Sequence, residues 1–414
     1  MTKLEQLIEE LCPNGVEYRT LGDIAIDVFR GAGIKRDEVT EEGIPCVRYG
    51  EIYTTYGVWF DECVSHTVLE NVPSPKYFEH GDILFAITGE SVEDIAKSCA
   101  YVGHEKCLAG GDIVVLKHNQ NPKYLAYALS TTDAQMQKSK GKVKSKVVHS
   151  SVPAIKEIVV PVPPLPVQSE IVRILDNFTE LTAELTAELT ARQSQYEYYA
   201  SNMFPSIKKS DVKWIELGEV ATVTKLAGFE FTKYVTYSDT GNIIALLGLN
   251  VKNGHLVLDD VKYIDNSNLE MLSRSKLRIG DMLFTYVGTV GQVALIQEND
   301  KYYLAPNVAL VRITDERFLP KYMMYYFLTD KFKQEQIAKL LQASSMQNIP
   351  MEKIRKFKLP LVSIEEQRKT IDILDRFDTL CNDISAGLPA EIEARQKQYE
   401  YYRDKLLTFK ELSK

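Results

Sequence analysis

From Val167 to about Phe204 the chain has neither glycine nor proline, and Ile171, Ile174, Leu175, Phe178, Leu181, Leu185 and Leu189 recur at steps of three and four. That spacing lays one apolar stripe along a helix, here a single predicted element of ~38 residues and ~57 Å. Within it "TELTAELTAELTA" repeats every four residues. Its leucines rotate only ~40° per unit while the helix advances ~6 Å, so adding a unit changes length and nearly keeps the apolar face, as a ruler would. A second helical pattern begins at Gln367, is interrupted by Gly387 and Pro389, and ends in "QYEYYRDKLLTF". A long soluble helix with a leucine stripe needs a partner, and each of these is the other's nearest candidate, expected to pack antiparallel. Elsewhere the apolar runs are short and bounded by Gly, Asn or Asp, as in "GDILFAI", "DIVVL", "NIIALLGL", "GDMLFTYV" and "VALVRI". These read as strands, whereas "PKYLAYAL" and "PKYMMYYF" open helices, so the rest of the chain is mixed α/β.

The two helical patterns are copies of one another. "QSEIVRILDNF" from Gln168 and "QRKTIDILDRF" from Gln367 stand at an offset of 199, with Asp176 and Phe178 answered by Asp375 and Phe377. "GDILF" (Gly81 to Phe85) matches "GDMLF" (Gly280 to Phe284) at the same offset, and "PKYLAYAL" resembles "PKYMMYYF". The phrase "ARQSQYEYY" at 191 returns as "ARQKQYEYY" at 394. The second copy is therefore four residues longer between Phe377 and Ala394 than the first between Phe178 and Ala191, which is one ruler unit or a break at Gly387 and Pro389. The chain is thus two copies of a unit, each a divergent globular part followed by a long helix. Boundaries are expected at 1–160, 161–208, 209–359 and 360–414. The tyrosines that close each repeat, Tyr196, Tyr198 and Tyr199, then Tyr399, Tyr401 and Tyr402, suit either packing against the other copy of the unit or an exposed docking surface.

Composition narrows the chemistry. At 414 residues with 45% hydrophobic positions the chain is long enough for two or more cores. The start is amphipathic and acidic, and no apolar run approaches the ~20 residues of a membrane span, so a cytoplasmic location is expected. Six cysteines without a C-x-x-C pair indicate neither a zinc ribbon nor a disulfide framework. The six histidines show no ligand spacing, so no metal site is expected. "FRGAG" at Phe29 to Gly33 has the F-x-G-x-G form of an amino-methyltransferase cofactor loop. The [DNS]-P-P-[YFW] element that grips a flipped base is missing, the only Pro-Pro pair lying in "VPPL", and the second copy reads "TKLAG", so this reads as a glycine turn and no methyltransferase site is expected.

A net charge of -8 argues against nucleic-acid binding through the average field, so any such contact must be local. "KSKGKVKSK" sets Lys138, Lys140, Lys142, Lys144 and Lys146 at alternate positions, where an extended chain would turn all five to one side as a phosphate comb. Its counterpart in the second copy, with Ser344, Ser345, Gln347 and Asn348, offers uncharged hydrogen-bonding groups. Lys35, Arg36 and Arg48, and in the second copy Lys225, Arg274, Lys276 and Arg278, are further candidates for DNA contact.

Two divergent domains, each followed by a helix carrying Q-x-x-x-x-x-I-L-D-x-F, which in the first copy is the fuller P-L-x-x-Q-x-x-I-x-x-I-L-D-x-F, with "TAEL" repeats and a "QYEYYRDKLLTF" end, resemble the specificity subunit of type I restriction-modification systems. The likeness covers essentially the whole chain; one departure is Val167-Gln168 where the family commonly has Glu-Gln, as at Glu366-Gln367. The resemblance implies an α+β fold of two target-recognition domains joined by two long antiparallel coiled-coil helices in a pseudo-twofold internal repeat. It implies a noncatalytic subunit that reads a split, asymmetric target in double-stranded DNA and docks two modification (methyltransferase) subunits and restriction (translocase and nuclease) subunits. S-adenosylmethionine, ATP and Mg would then act on those partners, with no cofactor on this chain. Docking would fall to Gln168, Asp176, Phe178, Tyr196 and Tyr199, and to Gln367, Asp375, Phe377, Tyr399 and Tyr402. Two other readings fit the same residues: a specificity subunit of a type IIB-like system, and a coiled-coil scaffold that binds proteins without DNA.

Overall fold

The computed structural model describes residues 2–142, 147–207, 212–226, 233–341, 348–382 and 387–412. The chain divides into two compact units, Met1–Leu185 with Ile392–Lys414, and Thr186–Glu391. The expected central helix is one element of 39 residues, Leu165–Met203, whose first half lies in the first unit and second half in the second. The distal pattern is described as two helices, Ile364–Asn382 and Leu388–Leu406, the latter opening with Pro389 in its first turn, where a missing N–H costs nothing.

Each unit pairs its share of the central helix with a distal segment running the other way. In the first unit Tyr18 pairs with Pro161, just before the central helix, and its hydroxyl donates to the Phe409 carbonyl at 3.1 Å. Phe178, further along the central helix, stacks on Tyr402 with ring centroids 5.6 Å apart. In the second unit Trp214, beyond the helix end, pairs with Pro360, while Tyr196 and Tyr199 lie 6.3 and 5.8 Å from Phe377. Of the apolar stripe, Ile171 and Leu175 are buried, Leu185 and Leu189 half-buried, and Leu181 exposed.

The globular part of each unit is built on a sheet buried on both faces. In the first, strands Ala25–Arg30, Ile113–His118, Ile83–Ala86, Ser98–Tyr101 and Trp59–Phe60 lie side by side. Ile83, Phe85, Val114 and Leu116 face the helix Pro122–Leu129 and the central helix, whereas Leu84, Ala86, Ile113 and Val115 face a second set of strands. The second unit repeats this with Met282 and Phe284 on one face and Leu283 and Leu310 on the other. Two buried faces explain why "GDILF" and "VALVRI" are continuous apolar runs rather than alternating ones.

The aspartate of each "GD" pair is a clamp. Asp82 accepts the Glu79 N–H at 2.9 Å and the Lys117 ammonium at 3.0 Å. Asp281 accepts the Arg278 N–H at 2.9 Å and both arms of Arg312 at 2.7 and 2.6 Å. Each ties the turn before one core strand to the neighbouring strand, so the motif recurs for a structural reason.

Candidate nucleic-acid interface

The lysine comb does not form in the described residues. Thr131 caps a helix Thr132–Ser139, in which alternate residues point to nearly opposite sides. Lys138 is turned into the core. Its ammonium donates to the Leu129 carbonyl at 2.7 Å and to Ser98 Oγ at 3.2 Å, and burial pushes its pKa down to about 7. Lys138 is therefore withdrawn from the contact set. Lys140 ends the helix exposed, Lys142 is half-buried, and Lys144 and Lys146 lie outside the described residues.

Three other candidates of the first unit do converge. Lys35, Arg36 and Arg48 line one open groove with Gly33, Tyr49 and Gly50. A Cβ on Gly33 or Gly50 would meet nothing within 4 Å, so the groove floor is low and accessible, as close approach of a ligand backbone needs. Lys35 pairs with Glu38 at 3.1 Å. Arg48 is held by Glu51, a residue the sequence did not single out: Glu51 Oε1 accepts Arg48 Nε at 3.3 Å and Nη2 at 3.2 Å, and Ser65 Oγ at 2.6 Å. The "FRGAG" turn sits nearby as a close chain crossing, because a Cβ on Gly31 would collide with the carbonyls of Ala109 and Gly110.

In the second unit Lys225 and Arg274 line a groove with Thr222, Thr224 and Arg312. The Lys225 ammonium lies 5.6 Å from the centre of the Tyr286 ring. Lys276 pairs with Asp300, and its carbonyl accepts from Arg312 at 3.3 Å. Arg278 is exposed beside buried Asp281. Asn348 is exposed and bridges to Val287, while Ser344, Ser345 and Gln347 lie outside the described residues. Arg312 was missed; the signal was the repeated "GD" aspartate, which in each copy needs a cation on the adjacent strand.

The residues expected to dock partners separate into two kinds. Gln168 and Gln367 are fully buried clamps, not docking groups. Gln168 accepts the Asn121 N–H at 2.9 Å and donates to the Pro163 carbonyl at 2.7 Å; Gln367 accepts the Leu319 N–H at 2.9 Å and donates to the Arg317 carbonyl at 2.7 Å. Asp176 and Asp375 are likewise engaged internally. Asp176 takes Lys123 at 2.8 Å and the Tyr127 hydroxyl at 2.7 Å, and Asp375 takes Lys321 at 2.8 Å and the Tyr325 hydroxyl at 2.5 Å. Tyr399 is buried and Tyr196 half-buried, with burial raising the phenol pKa of both. Phe178 and Phe377 are half-buried under Tyr402 and Tyr199, which keep one face in solvent. The most exposed tyrosines are Tyr198 and Tyr401, at 67% and 61%.

Among the described residues no group of three His, Cys, Asp or Glu side chains is placed to hold a metal, and no helix is long and apolar enough to cross a membrane. A duplicated scaffold carrying two unlike polar grooves defines a class of recognition protein built from two readers. The chain belongs to the family of the type I restriction modification DNA specificity domain, which matches residues 13–192 and again 209–394. The Type I restriction enzyme EcoR124I/EcoR124II specificity subunit of Escherichia coli is 33% identical over 306 residues, covering 69% of this chain and 70% of its own. A chain solved in work on complex assembly and conformational transition of the type I R-M system superposes with a TM-score of 0.66 at 15% identity, over 96% of this chain and 98% of its own. The S subunit of the type I restriction-modification system from M. genitalium gives 0.52 at 14% identity, over 99% of each chain. At those identities the structural likeness is one of fold.

Proposed function

We propose that this specificity subunit reads a split, asymmetric sequence in double-stranded DNA, one half through each unit, and itself performs no chemistry. The observation that carries the reading is the division of labour between repeated and unrepeated residues. Gln168 and Gln367, Asp176 and Asp375, and Asp82 and Asp281 make the same contacts in both units. The groove residues do not repeat: Leu247 stands in the second unit where Arg48 stands in the first, and Lys225 and Arg274 line a groove at a different place. A common scaffold with unlike readers calls for unlike half-sites. Phosphate contacts from exposed lysines and arginines would set register, and side chains in the grooves would read base edges.

The exposed aromatic steps Tyr198–Tyr199 and Tyr401–Tyr402 are the surfaces we assign to two modification subunits, since tyrosines combine apolar area with a polar tip. S-adenosylmethionine, ATP and Mg would be used by the modification and restriction subunits, which places the complex in the cytoplasm with the DNA. Methylome sequencing of a host with and without this gene tests the reading: the expected result is a two-part motif with unlike halves that disappears with the gene. Inserting one "TAEL" unit, ~6 Å of helix, should lengthen the unread spacer by about one or two base pairs and leave both halves unchanged. A spacer of unaltered length would remove the ruler.

A further inference from the structure

We propose that Arg48 is a base-reading residue of the first unit, aimed at a guanine edge by Glu51, which acts as its positioning residue. The inference rests on the DNA-reading function proposed above and names part of its chemistry. Glu51 is buried, yet its carboxylate reaches both the backbone and the side chain of Arg48: Oε2 accepts the Arg48 N–H at 2.9 Å, and Oε1 accepts Nε and Nη2.

The second unit supplies the comparison. Asn250 occupies the corresponding place, also buried, and its Oδ1 accepts the Leu247 N–H at 3.0 Å while Nδ2 donates to the carbonyls of Val257 and Asp260. A neutral amide thus meets the backbone requirement at this turn. The first unit instead buries a carboxylate, which is costly unless a cation and hydrogen bonds compensate it. Arg48 and the Ser65 hydroxyl are those partners, and Leu247 stands where Arg48 would be in the other unit. The charge pair therefore belongs to the divergent, reading part of the domain and not to the common scaffold.

The geometry leaves the guanidinium ready for a ligand. Glu51 takes one side of the fork, Nε and Nη2, while Nη1 and the remaining Nη2 proton stay available. An end-on pair of N–H groups matches guanine O6 and N7 in the major groove. Arg48 keeps 30% of its side chain exposed, at the edge of the low-floored groove that also holds Arg36. A fork already fixed by a carboxylate loses less rotamer freedom on binding.

The test uses the complex with its modification subunits and a panel of duplexes changed one base pair at a time across both half-sites. Arg48→Ala and Arg48→Lys are expected to lose discrimination about 10–100-fold at one G·C pair of one half-site, and to leave the other half-site unchanged. Lysine fails here because an ammonium lacks the fork, whereas a role in charge alone would be rescued by it. Glu51→Gln keeps the backbone cap, as Asn250 does, and should relax the same base pair. Replacing that guanine by 7-deazaguanine should cost the wild-type complex affinity and the Arg48→Ala complex nothing. Unchanged base preference at every position in Arg48→Ala or Glu51→Gln would overturn the inference and leave the two-part reading standing. A wild-type complex without a two-part motif would overturn both.

Discussion

Lys138 occupies in the first unit the place that Ile337 holds in the second. The register is fixed by the residue before each: Gln137 hydrogen-bonds the N–H and carbonyl of Val159 at 2.8 and 3.1 Å, and Gln336 does the same to Lys358 at 2.6 and 2.9 Å. Ile337 is buried in apolar surroundings, whereas Lys138 brings an ammonium into the same kind of site with a carbonyl and a hydroxyl as its hydrogen-bond acceptors. Its pKa falls to about 7 there and returns to about 10.4 on unfolding. Between those values the unfolded chain binds the extra proton, so the contribution of Lys138 to first-unit stability rises with pH across that window and is constant below pH 7, where both states are charged. Lys138→Met should therefore stabilise the first unit at pH 7, on the order of 3 kcal/mol, and this gain over the wild type should shrink towards pH 10. Urea denaturation of the wild-type and Lys138→Met chains at pH 7 and pH 9.5 checks this; a gain from Lys138→Met that does not shrink with pH would refute it. The same residue shows where sequence reading failed. Alternating lysines form a comb only in an extended segment, and here Lys138, the first of the run, falls in the helix set by the Thr131 cap and the buried Ala134 and is turned inward. Lys35, Arg36 and Arg48 were legible as cations, but Glu51 was not, because nothing local marks a carboxylate as buried beside an arginine.

Among elements, the long helices and the core strands were legible, since both are written in periodicity: the helix expected over Val167 to Phe204 runs from Leu165 to Met203. What periodicity does not state is the identity of the group across the interface. Gln168 and Gln367 stand at repeated positions on inward faces, and a repeated polar residue suggests docking, yet both serve the loop that precedes a packed helix. The tyrosines obey the same geometry. Tyr196 and Tyr199, and Tyr399 and Tyr402, are three apart and share the face turned to their own unit, which leaves Tyr198 and Tyr401 about 100° or more around the helix. Gln168→Ala should leave the Asn121 N–H and the Pro163 carbonyl without their partner and destabilise the first unit by about 2–3 kcal/mol. Its affinity for a modification subunit, measured well below the melting temperature, should not change. Loss of affinity at full stability would return Gln168 to the docking surface.

For the molecule as a whole, the first unit is completed by residues from the far end of the chain. Tyr399 and Leu407 are buried in its main core, with Leu406 and Phe409 packed against it, and Leu412 donates its N–H to the Val16 carbonyl at 2.9 Å. The repeat could be read by aligning the sequence with itself, but this closure could not, because self-comparison finds copies and says nothing of which copy's helix each domain uses. Removal of residues 392–414 withdraws four large apolar side chains from the first core, roughly 5–8 kcal/mol of burial, which is comparable to the net stability of a typical domain. The second unit contains none of those residues. Hydrogen exchange on the truncated chain should therefore show strands Ile83–Ala86 and Ile113–His118 losing protection while Met282–Thr285 and Val308–Ile313 keep it. Equal loss in both sets would mean that the two units fold as one cooperative body, and retained protection in the first would mean that its core is closed without the distal helix.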